Sequence, residues 1–354
     1  MQSEKQAQYK FSDIIADPVI GKRWEKVRKY FFLRESTYDM SNRCNIRCEG
    51  CYYFAGESNK QFADENRDPA AWRQLFEAEK DRGITFVVLA GAEPSMVPEL
   101  CAVCFDVIPL GAIATNGLEP IPRQIDYRIH ISTWGNDTTS LAVRKAPDML
   151  VRQMDNYRDD PRAVFVYTFS PLNIDEAREV TELLAASGVQ ITFNMFSAPV
   201  GYNGHLRHTP ETLARTRQVM TELLAEFPET VLFSPYNILA HTEEKGLHEL
   251  FSCSYPRMNP STDIGLGRSF RQYRTDLAWD RKAACCVPDT DCDDCRHYAA
   301  GSAVVTARMY RHATDPATFS AWLDYMDTYL AVWVRGYDKG TNLCEHPVIP
   351  AVSS

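Results

Sequence analysis

Residues 43–53 read RCNIRCEGCYY, and within them Cys44, Cys48 and Cys51 stand in a C-x3-C-x2-C array. Three thiols this close in sequence come to one side of a short loop, and cysteine thiolate is the usual ligand of iron–sulfur clusters. On a [4Fe–4S] cube they leave one iron open, free to chelate a small molecule through an amine and a carboxylate. Zinc is the competing reading, but a zinc site wants a fourth protein ligand nearby. Residues 40–60 hold no further cysteine and no histidine.

The array follows an extended run at residues 36–40, which predicts a first strand delivering the cysteine loop at its C-terminal end. Ligand sites of parallel α/β sheets and barrels gather at those ends. A βα rhythm then runs downstream. Asp68 and Pro69 open a helix whose apolar face is Trp72, Leu75 and Phe76, and Gly83 closes it. Strands are predicted at 84–89, 111–114, 127–132, 163–169 and 189–195, and helices at 100–108, 141–157 and 209–227. Asn173 with Glu176 reads as a capping box for another helix, ended by Gly188. Such alternation implies a parallel sheet with right-handed crossovers. About six strands are too few for a closed eightfold barrel. Residues 1–35, with Trp24, Tyr30, Phe31 and Phe32, read as a helical cover. Cys101, Cys104 and His130 sit among apolar neighbours and read as core rather than ligands.

Just after the second strand comes Ala90-Gly91-Ala92-Glu93-Pro94. Together with the cysteine array it resembles the signature of the radical SAM superfamily, whose GGEP motif it matches with Ala92 in place of the second glycine. The resemblance implies a partial (β/α)6 radical SAM barrel over residues 36–240, in an α/β chain with a smaller C-terminal cysteine-rich lobe. It implies that Cys44, Cys48 and Cys51 hold a [4Fe–4S] cluster. S-adenosylmethionine would chelate the open iron and be split to a 5′-deoxyadenosyl radical, the electron coming from a flavodoxin- or ferredoxin-type donor. Gly91, Ala92, Glu93 and Pro94 would face its methionine moiety, with Glu93 adding a charge-assisted contact. Thr115, Asn116 and Ser132 would meet ribose or carboxylate, and adenine would dock at the backbone around Phe193–Met195. The family often has an aromatic residue before the last cysteine; here that residue is Gly50, and Tyr52 or Tyr53 is expected to supply the ring.

After residue 240 a second cysteine set appears: Cys253, Cys285, Cys286, Cys292 and Cys295. It resembles the SPASM and Twitch auxiliary-cluster extensions, in which a cysteine precedes a glycine-bearing hairpin, here placed at residues 265–278. The resemblance implies one auxiliary [4Fe–4S] cluster on Cys253, Cys286, Cys292 and Cys295 within residues 241–354; structural zinc would satisfy four cysteines equally well. Cys285 or Cys344 remains as a substitute ligand or a hydrogen-atom donor. Arg257, Arg268, Arg271, Arg274 and Arg281 form a local basic excess that suits an anionic substrate or a solvated face. A helix at residues 316–335 is expected to pack over this lobe.

The formal net charge of −9 argues against a broad footprint for nucleic acid or an anionic membrane. No apolar run of about 18 residues occurs, and the first residues lack the apolar core of a signal peptide. A cytoplasmic protein is therefore expected, its 11 cysteines metal ligands rather than disulfides. The function read here is hydrogen abstraction from a small substrate, giving oxidation, epimerisation or rearrangement. A maturase of a ribosomally made peptide is the alternative, although the 43 residues before Cys44 leave little space for a leader-binding domain. A non-catalytic, metal-stabilised scaffold is the third.

Overall fold

The computed structural model describes residues 9–51, 53–54, 64–198, 201–243, 271–279, 295–296, 313–337 and 339. Seven parallel strands carry it: β1 (Glu35–Asp39), β2 (Phe86–Ala90), β3 (Gly111–Thr115), β4 (Arg128–Thr133), β5 (Ala163–Phe169), β6 (Ile191–Met195) and β7 (Gln272–Tyr273). Their order is β6-β5-β4-β3-β2-β1-β7, so each of the first six lies beside its predecessor and the chain closes the edge from its far end. The expected hairpin region thus contributes a strand to the sheet itself. Gln272 and Tyr273 pair with Thr37 and Tyr38 of β1, and the turn beyond is fixed by Arg274 N donating to Ala278 O at 3.0 Å.

Among the described residues ten α-helices accompany the strands: α1 (Phe11–Ile15), α2 (Pro18–Arg28), α3 (Pro69–Asp81), α4 (Pro98–Val107), α5 (Asp137–Arg144), α6 (Met149–Tyr157), α7 (Ala177–Ala186), α8 (Pro210–Glu226), α9 (Pro235–Thr242) and α10 (Pro316–Trp333). Among the described residues no helix is long and apolar enough to cross a membrane. Asp68 caps α3 as its sequence predicts, accepting from Ala70 N at 2.9 Å. The Asn173–Glu176 box does not form. Asn173 instead braces its own turn, accepting from Ser170 N and donating to Thr168 O, while the Glu176 carboxylate reaches across to Asn136 N and Thr139. The single helix expected at 141–157 is two. Pro147 has no N–H to continue a helix and disfavours the helical region before it, and Lys145 and Asp148 adopt left-handed φ of 60° and 51°. That break leaves Arg144 as the last residue of α5.

Strand residues alternate between two environments. Tyr38, Leu89, Ile113, Ile129, Ile131, Phe165 and Phe193 face the helices and form the main core, which includes Cys101 and Cys104. The opposite face lines the barrel lumen. At the lower end Phe86, Ala112 and Val164 pack against Phe319, Trp322, Met326 and Leu330 of α10, joined by Ile20 and Val27 of α2. Among the described residues α10 therefore stoppers the lower end of the barrel. Its end is pinned by Val332 O, which accepts from His130 Nε2 at 2.8 Å and Arg128 Nε at 3.3 Å.

Burial pushes the His130 pKa down to about 3 and that of His241, whose Nδ1 donates to Arg296 O, to about 4. Both histidines are neutral in the fold, so below the free value of ~6.5 the unfolded chain binds more protons and stability falls with pH. Each pH unit costs roughly 1.4 kcal/mol per histidine until the folded pKa is reached. Thermal melts between pH 7 and 4 are expected to show this loss, and His130→Phe should flatten part of it. An unchanged slope in that variant would contradict the assignment.

Candidate functional site

Where the upper strand ends meet the cysteine loop lies a cavity of about 260 Å³. Cys44, Cys48 and Cys51 all line it, together with Gly91, Ala92, Glu93, Thr115, Asn116 and Ser132. Its deeper wall is Thr37, Val88, Ala114, Val166, Thr168 and Asn194, with His130 and Trp333 at the floor. The His130 and Trp333 rings meet edge to face at 4.5 Å.

Each strand end shapes the loop it carries. Gly91 has φ +109°, and a side chain there would begin 2.9 Å from Met40 N, so only glycine lets β2 lie this close to the start of the cysteine loop. Ala92 N then donates to Ser41 O at 2.9 Å. Pro94 starts a short 3₁₀ turn, Pro94–Met96. Glu93 is buried, and its carboxylate accepts from Thr115 Oγ1 at 2.7 Å, Asn116 N at 2.8 Å and Ser95 N at 3.0 Å. It ties the β2 loop to the β3 loop. Asn116 in turn donates through Nδ2 to Asn45 Oδ1 at 2.6 Å and lies 3.7 Å from Cys44 Sγ. Ser132 presents its carbonyl to Gln153 Nε2 at 2.8 Å and to Arg144.

The thiols are free and half-buried. Burial pushes Cys44 up to about 11 and raises Cys51 as well, so ionisation belongs with metal binding, which releases the thiol protons. Among the described residues no three His, Cys, Asp or Glu side chains are arranged to hold a single ion. A cube takes one thiolate per iron, and three thiols around one cavity fit that donor pattern. Arg144 Nε donates to Cys48 Sγ at 3.4 Å, and the same guanidinium contacts the Ser132 hydroxyl at 3.3 Å. The expected helix over 141–157 puts Arg144 in its first turn and gives it no role; the stop before Pro147 makes it instead the last residue of α5, beside the cysteines.

Of the stretch Phe193–Met195 at the end of β6, the Phe193 ring faces the outer core, while Asn194 and Met195, with Phe196 beyond them, line the cavity. Tyr53 is buried with its hydroxyl bonded to Thr275, and Tyr52 lies outside the described residues. The space beside Gly50 is filled instead by Phe196, whose ring is 2.8 Å from where a side chain at Gly50 (φ +66°) would begin. Trp134 meets Phe196 edge to face at 5.7 Å. An aromatic ring from just beyond β6, far away in sequence, thus packs beside Gly50.

Of the second cysteine set, Cys253, Cys285, Cys286, Cys292 and Cys344 lie outside the described residues. Cys295 is buried, and its neighbour Arg296 donates N–H to Ser197 Oγ at 2.9 Å, beside the cavity-lining end of β6. Arg271 and Arg274 are already paired within the chain: Arg271 lies 3.6 Å from Glu79 and over the Trp279 ring, and Arg274 bonds Asp276. Arg257, Arg268 and Arg281 lie outside the described residues.

No family model matches the chain, and no curated protein does. The fold is similar to that of SuiB from Streptococcus suis, with a TM-score of 0.51 and 13% identity over 85% of this chain and 70% of SuiB. SuiB bound to its precursor peptide SuiA gives a TM-score of 0.50 and 13% identity over 85% of this chain and 69% of that one. These likenesses show a shared fold, in keeping with the α/β partial barrel expected from the sequence.

Proposed function

We propose that the chain is a radical SAM enzyme that reductively cleaves S-adenosylmethionine and takes a hydrogen atom from a substrate held in the barrel lumen. One observation carries this reading: the three thiols of the array line a single cavity with the strand-end residues of β2, β3 and β4 and the Arg144 guanidinium. When bound, a cluster on Cys44, Cys48 and Cys51 supplies the electron for the cleavage. The strand-end backbone around Gly91 and Ala92 offers carbonyls to the cofactor ammonium. Ser132 and Arg144 suit its carboxylate, a guanidinium being a strong carboxylate partner. Phe196 and Trp134 give adenine an apolar aromatic wall. The narrow lumen aligns one C–H bond and excludes water, which is positioning work. Residues 241–354, including Cys253, Cys286, Cys292 and Cys295, would hold the auxiliary cluster, with Cys285 and Cys344 in reserve as ligand or hydrogen donor.

A peptide substrate is the second reading, favoured over a small anion because the similar fold of SuiB is seen with a precursor peptide and because Arg271 and Arg274 are already engaged. Anaerobically reconstituted protein is expected to bind about eight irons per chain and to release 5′-deoxyadenosine with dithionite and S-adenosylmethionine. Iron-loaded protein that releases none would sink the cleavage claim. Zinc in place of the second four irons would sink the auxiliary cluster alone.

A further inference from the structure

β7 places one polar side chain where the fold leaves it unanswered. Gln272 is 1% exposed, and among the described residues neither its carboxamide oxygen nor its nitrogen has a hydrogen-bond partner. Buried polar groups are almost always paired, and an orphaned amide calls for a specific cause. Its direction is set by register. Gln272 pairs with Thr37 and Tyr273 with Tyr38; neighbouring residues on paired strands share a face. The two tyrosine rings stack at 5.4 Å on the helix side, so Thr37 and Gln272 face the other way, toward the lumen, whose wall Thr37 forms. Thr37 lines the cavity and Gln272 stands behind it, so a turn about its three side-chain torsions is what brings the carboxamide past Thr37 to the cavity.

A carboxamide presents an acceptor beside donors. A carboxylate would answer only the N–H groups, and an ammonium only the oxygen. A hydroxyl can answer either atom, but the N–H and C=O of one residue in an extended peptide point the same way and answer both at once. We propose that Gln272 is a specificity-determining residue that pairs with the N–H and C=O of one residue of an extended peptide substrate and holds it at the β1–β7 wall. This rests on the lumen being the reaction chamber, and it gives the peptide reading a contact. The Thr37 hydroxyl stands at the same level to meet a second polar atom.

The test uses the full-length, iron-reconstituted protein, with N-acetylglycine N-methylamide as the amide probe and acetoxy-N-methylacetamide as the ester isostere lacking the glycine N–H, titrated by saturation-transfer NMR. The parent protein is expected to prefer the amide, and Gln272→Met to lose that preference, weakening the amide about tenfold. The melting temperature of Gln272→Met should hold or rise, because a methionine leaves no orphaned polar atom. Equal binding of amide and ester by the parent, or a preference that survives in Gln272→Met, overturns the proposal. So does displacement of the probe by 5′-deoxyadenosine, which would assign the amide to the adenine edge instead. The titration needs neither S-adenosylmethionine nor an electron donor, so its outcome is independent of whether the chain cleaves the cofactor.

Discussion

Cys48→Ala is expected to abolish release of 5′-deoxyadenosine and to strip iron from the barrel site, while the fold below the strand ends survives. Altering residues that merely orient a metal ligand costs some 10- to 100-fold, and loss of a ligand itself should exceed that. The damage would be local, because Cys48 is only half-buried and packs on the margin of a small cluster formed by Ile46, Leu118, Ala146 and Met149. Arg144, which donates to the Cys48 sulfur, would lose that acceptor and keep only its bonds to Ser132, adding to the loss. Cys104→Ala is the matched control. Its thiol lies in the outer core against Tyr127 and contacts no part of the cavity, so iron and 5′-deoxyadenosine should persist with a small fall in melting temperature. Undiminished 5′-deoxyadenosine from Cys48→Ala would remove the array from its assigned role.

The same contrast explains what could be read from sequence. The strands, most helices and the cysteine loop follow from local rules: alternation, caps, and thiols at short spacing. β1 to β6 come out within a few residues of expectation because each has one face against helices and one against the lumen, and the pattern repeats. What was missed is non-local. β7 is two residues long and pairs with a strand more than 230 positions earlier, so no window of sequence carries its signal. α10 reads as an apolar helix whether it covers a lobe or plugs a barrel; only the His130 and Arg128 bonds to Val332 O decide it. Phe196 packs beside Gly50, which leaves it the room, from far later in the chain, and no local pattern pairs the two.

Glu93 is the residue whose reading changes most, and its substitution is expected to have the second-largest effect. The motif suggests a carboxylate reaching for the cofactor ammonium. In the fold that carboxylate already accepts from Thr115 Oγ1, Asn116 N and Ser95 N, and Thr115 and Asn116 are buried. Glu93→Ala leaves these donors unanswered at roughly 1–3 kcal/mol each, which approaches the whole stability of a typical domain, about 5–15 kcal/mol. Glu93→Gln keeps one oxygen for Thr115 and Ser95 but turns an NH₂ toward Asn116 N, donor against donor, so one of the three bonds is lost. Melting temperatures should therefore fall in the order parent, Gln, Ala. Because Asn116 also holds Asn45 and touches Cys44, iron retention should fall in the same order. A direct contact with the cofactor predicts the opposite division: Gln and Ala variants that melt like the parent and keep their iron, with weakened S-adenosylmethionine binding alone. Calorimetric melts beside an iron assay separate the two roles, and parental stability in Glu93→Ala would return the residue to the cofactor.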